Sequence, residues 1–153
     1  MTYRDAVLEL ADRLGDTEVT WAVTASANLA LRGFPVDPGD VDVMTDAAGI
    51  GRIADEFAAE MARPVRPPDE AENGNIRSFF GALELHGTEV ELMGDVEHRV
   101  DGTWERADDV ATHREFLTVA GQQVPVMTLD HERRAYRALG REGRVALLGG
   151  GAP

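Results

Sequence analysis

Cysteine is absent from all 153 residues, which excludes disulfides and thiolate-held metal. Lysine is absent too: all 15 basic residues are arginine, against 28 Asp and Glu, and the formal net charge is −13. A broad nucleic-acid footprint needs a basic surface, so a large nucleic acid is not an expected partner. Acidic, lysine-poor surfaces also occur in proteins of salt-loving organisms as a solvation adaptation. On that halophile-like reading the total charge says little about partners, and only local clusters are informative. No apolar run approaches the roughly 20 residues of a membrane-crossing helix, and "MTYRDAVLEL" carries acids and lacks the apolar core of a signal peptide. The expected location is the cytoplasm, with no membrane partner.

The composition is 43% hydrophobic, and a chain of this length reads as one domain, residues 1–148, with "GGGAP" (149–153) as a flexible tail. Thr2 and Asp5 predict a capping box for a helix reaching Leu14, on which Ala6, Val7, Leu10 and Leu14 recur at helical spacing. "EVTWAVT" (18–24) predicts a strand, "SANLALRG" (26–33) a short helix with Ser26 as its cap, and "DVDVMT" (40–45) a second strand. A helix follows over 47–62. "ARPVRPPDEAENGN" (62–75) is turn-rich and predicts a surface loop. "IRSFFGALEL" and "TEVELM" predict a hairpin joined at His86–Gly87, and "THREFLTVAGQQVPVMT" a second strand pair. "LDHERRAYRALGREGRVALL" predicts a helical ending. The fold class is α+β, a mixed sheet flanked by helices, with too few βα units for a long parallel sheet.

The chemistry concentrates in "VDPGDVDVMTD" (36–46). Strand alternation sends Asp40 and Asp42 to one face and Val41 and Val43 to the other. Two carboxylates so placed repel each other unless a cation or hydrogen bonds offset the charge. Oxygen-only ligands suit magnesium, whereas an EF-hand needs a glutamate at its twelfth position. Counting from Asp37 or Asp40, that position holds Ala48 or Gly51. The alternative is a solvated turn before a strand. Upstream, "VTASANLALRG" places Ser26 where a strand turns into a helix, either as a plain cap or beside backbone amides that bind an anion. Downstream, Glu91 in "VELM" stands between Val90 and Leu92 on an expected central strand, where a carboxylate needs a partner.

The remaining features read more simply. Arg133, Arg134, Arg137, Arg141 and Arg144 form a local stripe that either meets phosphate charge, with Arg141 as the nucleotide-binding candidate, or pairs with surface acids such as Asp130 and Glu132. His86 belongs to a hairpin turn, and His98, His113 and His131 to the surface. Asp95 reads as a turn residue, and Trp21 with Phe79–Phe80 as core.

Ser26, the pair Asp40 and Asp42, and Glu91 together resemble the nucleotidyltransferase superfamily of the polymerase-beta kind. The phrases "LALRGFPVDPGDVDVMTD", "VELMGD" and "VPVMTLDHERRAYRALGR" resemble its small stand-alone bacterial and archaeal members over roughly 18–142. The resemblance implies a nucleotidyltransferase-like fold and two magnesium ions between the carboxylates and a nucleoside triphosphate. It further implies Asp40 and Asp42 as ligands of both ions, with Glu91 on the acceptor-side ion and able to help take the proton. Ser26, with the backbone around Thr24 and Ala25, would hold the outer phosphates. The product would be a nucleoside monophosphate joined to a hydroxyl of a small molecule or a protein. The alternative is a non-catalytic nucleotide-binding or antitoxin-like partner on the same fold; oligomerisation stays open. Ala25 departs from the family, which has glycine before the serine. Ala25→Gly is expected to cost up to about 1 kcal/mol through added freedom of the unfolded chain.

Overall fold

The computed structural model of the protein describes residues 2–68 and 74–148. Helix α1 (Tyr3–Leu14) starts at the expected capping box and buries Ala6, Val7, Leu10 and Leu14. Then come β1 (Ala22–Thr24), α2 (Ala25–Leu31), β2 (Val41–Thr45), α3 (Ala47–Glu56), a 3-10 turn at Ala58–Glu60 and β3 (Met61–Arg66). The hairpin of β4 (Ile76–Leu85) and β5 (Thr88–Val100) is extended by β6 (Thr103–Arg106), and β7 (Arg114–Val119) pairs with β8 (Gln122–Met127). Helices α4 (Leu129–Ala138) and α5 (Glu142–Leu147) end the described chain. The sheet order is β3-β4-β5-β2-β1-β8-β7, with β6 on β5. The β2–β5 and β1–β8 pairs are parallel and the others antiparallel, so the sheet is mixed as expected.

Strand alternation divides the residues of this sheet between its two faces. Val23, Val41, Val43, Val90, Leu92, Val124 and Val126 join the main core with Leu10, Ile50, Ile53 and Phe57 from the α1 and α3 side. The intervening Asp42, Met44, Glu91 and Met93 line a cleft on the opposite face, beneath α4.

Several boundaries differ from the sequence reading. The first strand is Ala22–Thr24 rather than 18–24, because its ladder begins where Ala22 meets Met44 of β2. Helix α3 stops at Glu56, six residues before the expected end. Part of the expected loop is strand β3, on the sheet edge with register shifts on both sides of Arg63, where Pro64 breaks no shared ladder. Residues 69–73 of that loop, and the expected tail 149–153, lie outside the described residues. Phe79 packs on the core as expected. Phe80 instead lies under the guanidinium groups of Arg63 and Arg66, 5.1 and 5.3 Å from its ring centroid. Asp95 is not in a turn: it sits in β5 at φ 52°, where the register shifts against β4, as in a β-bulge. Among the described residues no helix is long and apolar enough to cross a membrane.

Candidate functional site

Register brings the acids together. Thr24 stands opposite Asp42 across the β1–β2 ladder, and Asp42 opposite Glu91 across β2–β5. Three neighbouring strands therefore present Thr24, Asp42 and Glu91 in one row, and Asp40 precedes Asp42 on the same face. One carboxylate oxygen from each of Asp40, Asp42 and Glu91 lies within 4.8 Å of the others. Burial, the charge of Asp40 and the proximity of Glu91 push the Asp42 carboxyl up to about 8. Glu91 is also pushed up, chiefly by burial. From the edge strand, Arg63 reaches Glu91 at 3.4 Å and Glu89 at 3.0 Å. Three close carboxylates, one of them buried enough to hold a proton at neutral pH, form a hard-oxygen donor set that a divalent cation such as magnesium would satisfy.

A pH dependence follows. Between its ordinary 3.8 and about 8, Asp42 holds a proton in the folded chain that it loses in the unfolded one. The metal-free protein should therefore lose stability as pH rises through that window. Asp42→Asn removes this titration. By thermal melting without metal, the variant should be level with or above the native chain at pH 8 and less pH-dependent, while magnesium-dependent stabilisation shrinks. A large loss of metal-free stability would instead make Asp42 a structural residue.

The strand-to-helix turn differs from the expectation in its cap. Helix α2 begins one residue early, its N-cap is Thr24, and Ser26 lies inside the first turn. The Thr24 side chain makes no cap hydrogen bond; its hydroxyl donates to Glu132 Oε2 at 2.8 Å. The same oxygen accepts from the Ala25 amide at 3.0 Å and from Asn28 Nδ2 at 2.7 Å. Glu132 is thus no surface acid: it is 1% exposed and fastens α2 to α4. Nothing local in "LDHERRAYRALG" marks it. The usable signal is that helix's shortage of large apolar residues, which forces polar groups onto its inner face.

Ala25 adopts φ +60°, the left-handed conformation that glycine reaches freely and an L-residue only at a cost of about 1–2 kcal/mol. The expected sign for Ala25→Gly therefore reverses. Relief of backbone strain offsets or exceeds the unfolded-state entropy, so denaturant titration should show stability unchanged or raised by up to about 1 kcal/mol. A clear loss would show that the methyl group packs favourably enough to hold the turn.

The arginine stripe does not act as one face. Arg133 pairs with Asp130 at 2.6 Å and Arg134 with Asp108 at 2.7 Å, both away from the cleft. Gly140, at φ 73°, breaks the helix. Beyond it Arg141 lines the cleft, and Arg144 Nη2 donates to Ser26 Oγ at 3.3 Å. His98 and His131 are 8% and 2% exposed rather than at the surface, and His131 Nδ1 meets Asp108 at 3.1 Å. Burial holds His98 below its ordinary titration range. His86 is in the hairpin as expected, with Nε2 at 2.6 Å from Glu9. The cleft itself is about 420 Å³ and is also lined by Thr24, Ala25 and Tyr136, a size typical of small-molecule sites.

The family model for aminoglycoside-2''-adenylyltransferase matches residues 6–147. A candidate nucleotidyltransferase from Thermotoga maritima is 35% identical, covering 97% of this chain and 92% of its own, with a TM-score of 0.83. ANT(2'')-Ia in complex with adenylyl-2''-tobramycin superposes at a TM-score of 0.64, with 10% identity over 98% of this chain and 89% of its own. The lincosamide antibiotic adenylyltransferase LnuA, bound to lincomycin, gives 0.56, with 9% identity over 92% of each chain. The last two likenesses concern the fold. No curated protein matches the chain.

Proposed function

The chain belongs to the aminoglycoside-2''-adenylyltransferase family of nucleotidyltransferases, and from that premise we propose that it moves a nucleoside monophosphate from a triphosphate to a hydroxyl of a small molecule, with magnesium. The observation that carries this reading is the convergence of Asp40, Asp42 and Glu91, whose carboxylate oxygens come within 4.8 Å of one another. Bound there, magnesium would neutralise the clustered acids and stabilise the attacking and leaving oxygens of an in-line displacement. Asp40 and Asp42 would hold the metal, with Glu91 as a further ligand nearer the acceptor. The acceptor oxygen bonds to the α-phosphorus as the bond to the bridging oxygen breaks, and pyrophosphate leaves with the electron pair. Glu91 would help to take the acceptor's proton, as a carboxylate within reach of the acceptor hydroxyl can. Ser26 and Arg141 would face the outer phosphates, beside the turn at Thr24 and Ala25, whose Ala25 amide is held by Glu132.

The adenylyltransferase names of its relatives make ATP the first triphosphate to test, and tobramycin and lincomycin the first acceptors. Pyrophosphate release should require ATP, magnesium and an acceptor together, and EDTA should stop it. Magnesium-dependent ATP binding with no transfer to any hydroxyl acceptor would favour the non-catalytic, antitoxin-like alternative. Absence of triphosphate binding would reject both.

A further inference from the structure

Tyr136 projects from α4 into the cleft wall and is 3% exposed. Its phenol oxygen is buried and has no hydrogen-bond partner among the described residues. Buried hydroxyls are nearly always paired, because an unpaired one forfeits its bonds to water. Two opposite charge fields surround this one. Asp42 and Glu132 favour its protonated form, and Arg141 and Arg144 disfavour it. Burial, and then Glu132, push the phenol up to about 12 against the pull of the arginines. At physiological pH it is therefore a neutral O–H with a free proton to donate.

The group that completes it must be an acceptor. It must also tolerate the combined fields of Asp42, Glu132, Arg141 and Arg144. Resting on the nucleotidyl-transfer reading, the geometry points to Tyr136 as a hydrogen-bond donor to a non-bridging oxygen of the β- or γ-phosphate, alongside Arg144 and Ser26. The α-phosphate has to lie against Asp40, Asp42 and Glu91 to be attacked. The rest of the triphosphate then runs toward the arginines, past Tyr136. As the α–β bridging bond breaks and its electron pair goes to the pyrophosphate, the phenol keeps its proton. Its hydrogen bond strengthens with the charge that builds on the leaving group.

Tyr136→Phe keeps the ring and removes only the hydroxyl. Without ligand, the variant should melt level with or above the native chain, since an unpaired buried hydroxyl is gone. By calorimetric titration with magnesium, affinity for ATP, GTP, CTP, UTP and inorganic tripolyphosphate should fall about ten- to hundredfold, by one common factor. Affinity for AMP should not change. Arg144→Gln should weaken tripolyphosphate in the same way, which keeps the subsite testable should the phenylalanine variant fold poorly. Loss for one nucleobase only, or unchanged tripolyphosphate binding by Tyr136→Phe, would overturn the assignment while leaving nucleotidyl transfer intact. If the native chain binds neither ATP nor tripolyphosphate, the transfer reading itself falls, and the role of Tyr136 with it.

Discussion

Glu91→Gln should reduce acceptor-dependent pyrophosphate release at least about 10³-fold, because a metal ligand that stabilises charge in the transition state contributes several kcal/mol. Stability should hardly follow. The Glu91 side chain is 27% exposed, and its ion pair with Arg63 spans 3.4 Å, so the pair contributes little to folding. Removing a charge from a crowded acid cluster also relieves the repulsion that raises Asp42 and Glu91. Activity and melting temperature should thus move independently: activity collapses, and metal-free melting stays level or rises. Asp40→Asn should behave alike. Transfer that survives Glu91→Gln within tenfold would remove Glu91 from the reaction and leave the acid row as a feature of the sheet.

Glu132→Ala should have the opposite profile, a large loss of stability. One buried carboxylate oxygen accepts from the Thr24 hydroxyl, the Ala25 amide and Asn28 Nδ2, and alanine would leave all three donors without it. Hydrogen bonds to a charged acceptor contribute about 1.5–3 kcal/mol each, although one cavity seldom loses their sum. A loss of at least about 3 kcal/mol is expected, which for a chain of this size lowers the melting temperature by roughly 10 °C. The damage should spread, because Asn28 Nδ2 also donates to Met127 O at 2.9 Å and Asn28 Oδ1 accepts from Arg32 at 2.9 Å. Glu132→Gln keeps an acceptor of the same shape and should recover much of the loss. A Glu132→Ala protein that melts within about 2 °C of the native chain would mean that water replaces the carboxylate.

The acid site was legible because it rests on local periodicity. In "DVDVMT" and "VELM" alternate residues face opposite sides of a strand, so one reading assigns Val41, Val43, Val90 and Leu92 to the core and the acids to the other face. The two hairpins at His86–Gly87 and Ala120–Gly121 were legible for the same kind of reason: turn chemistry is carried by adjacent residues. Edge strand β3 was not, because its proline and charges are turn-like in sequence and only pairing with β4 makes the segment extended. Glu132 and Tyr136 were not legible as site residues either. Their inward position depends on α4 crossing the open face of the sheet, over a hundred residues from Thr24 and Ala25. Ala25 shows the division most sharply. Its identity as a departure from glycine could be read from the chain alone. Its left-handed backbone could not, since that conformation exists only where β1, α2 and the carboxylate of Glu132 meet.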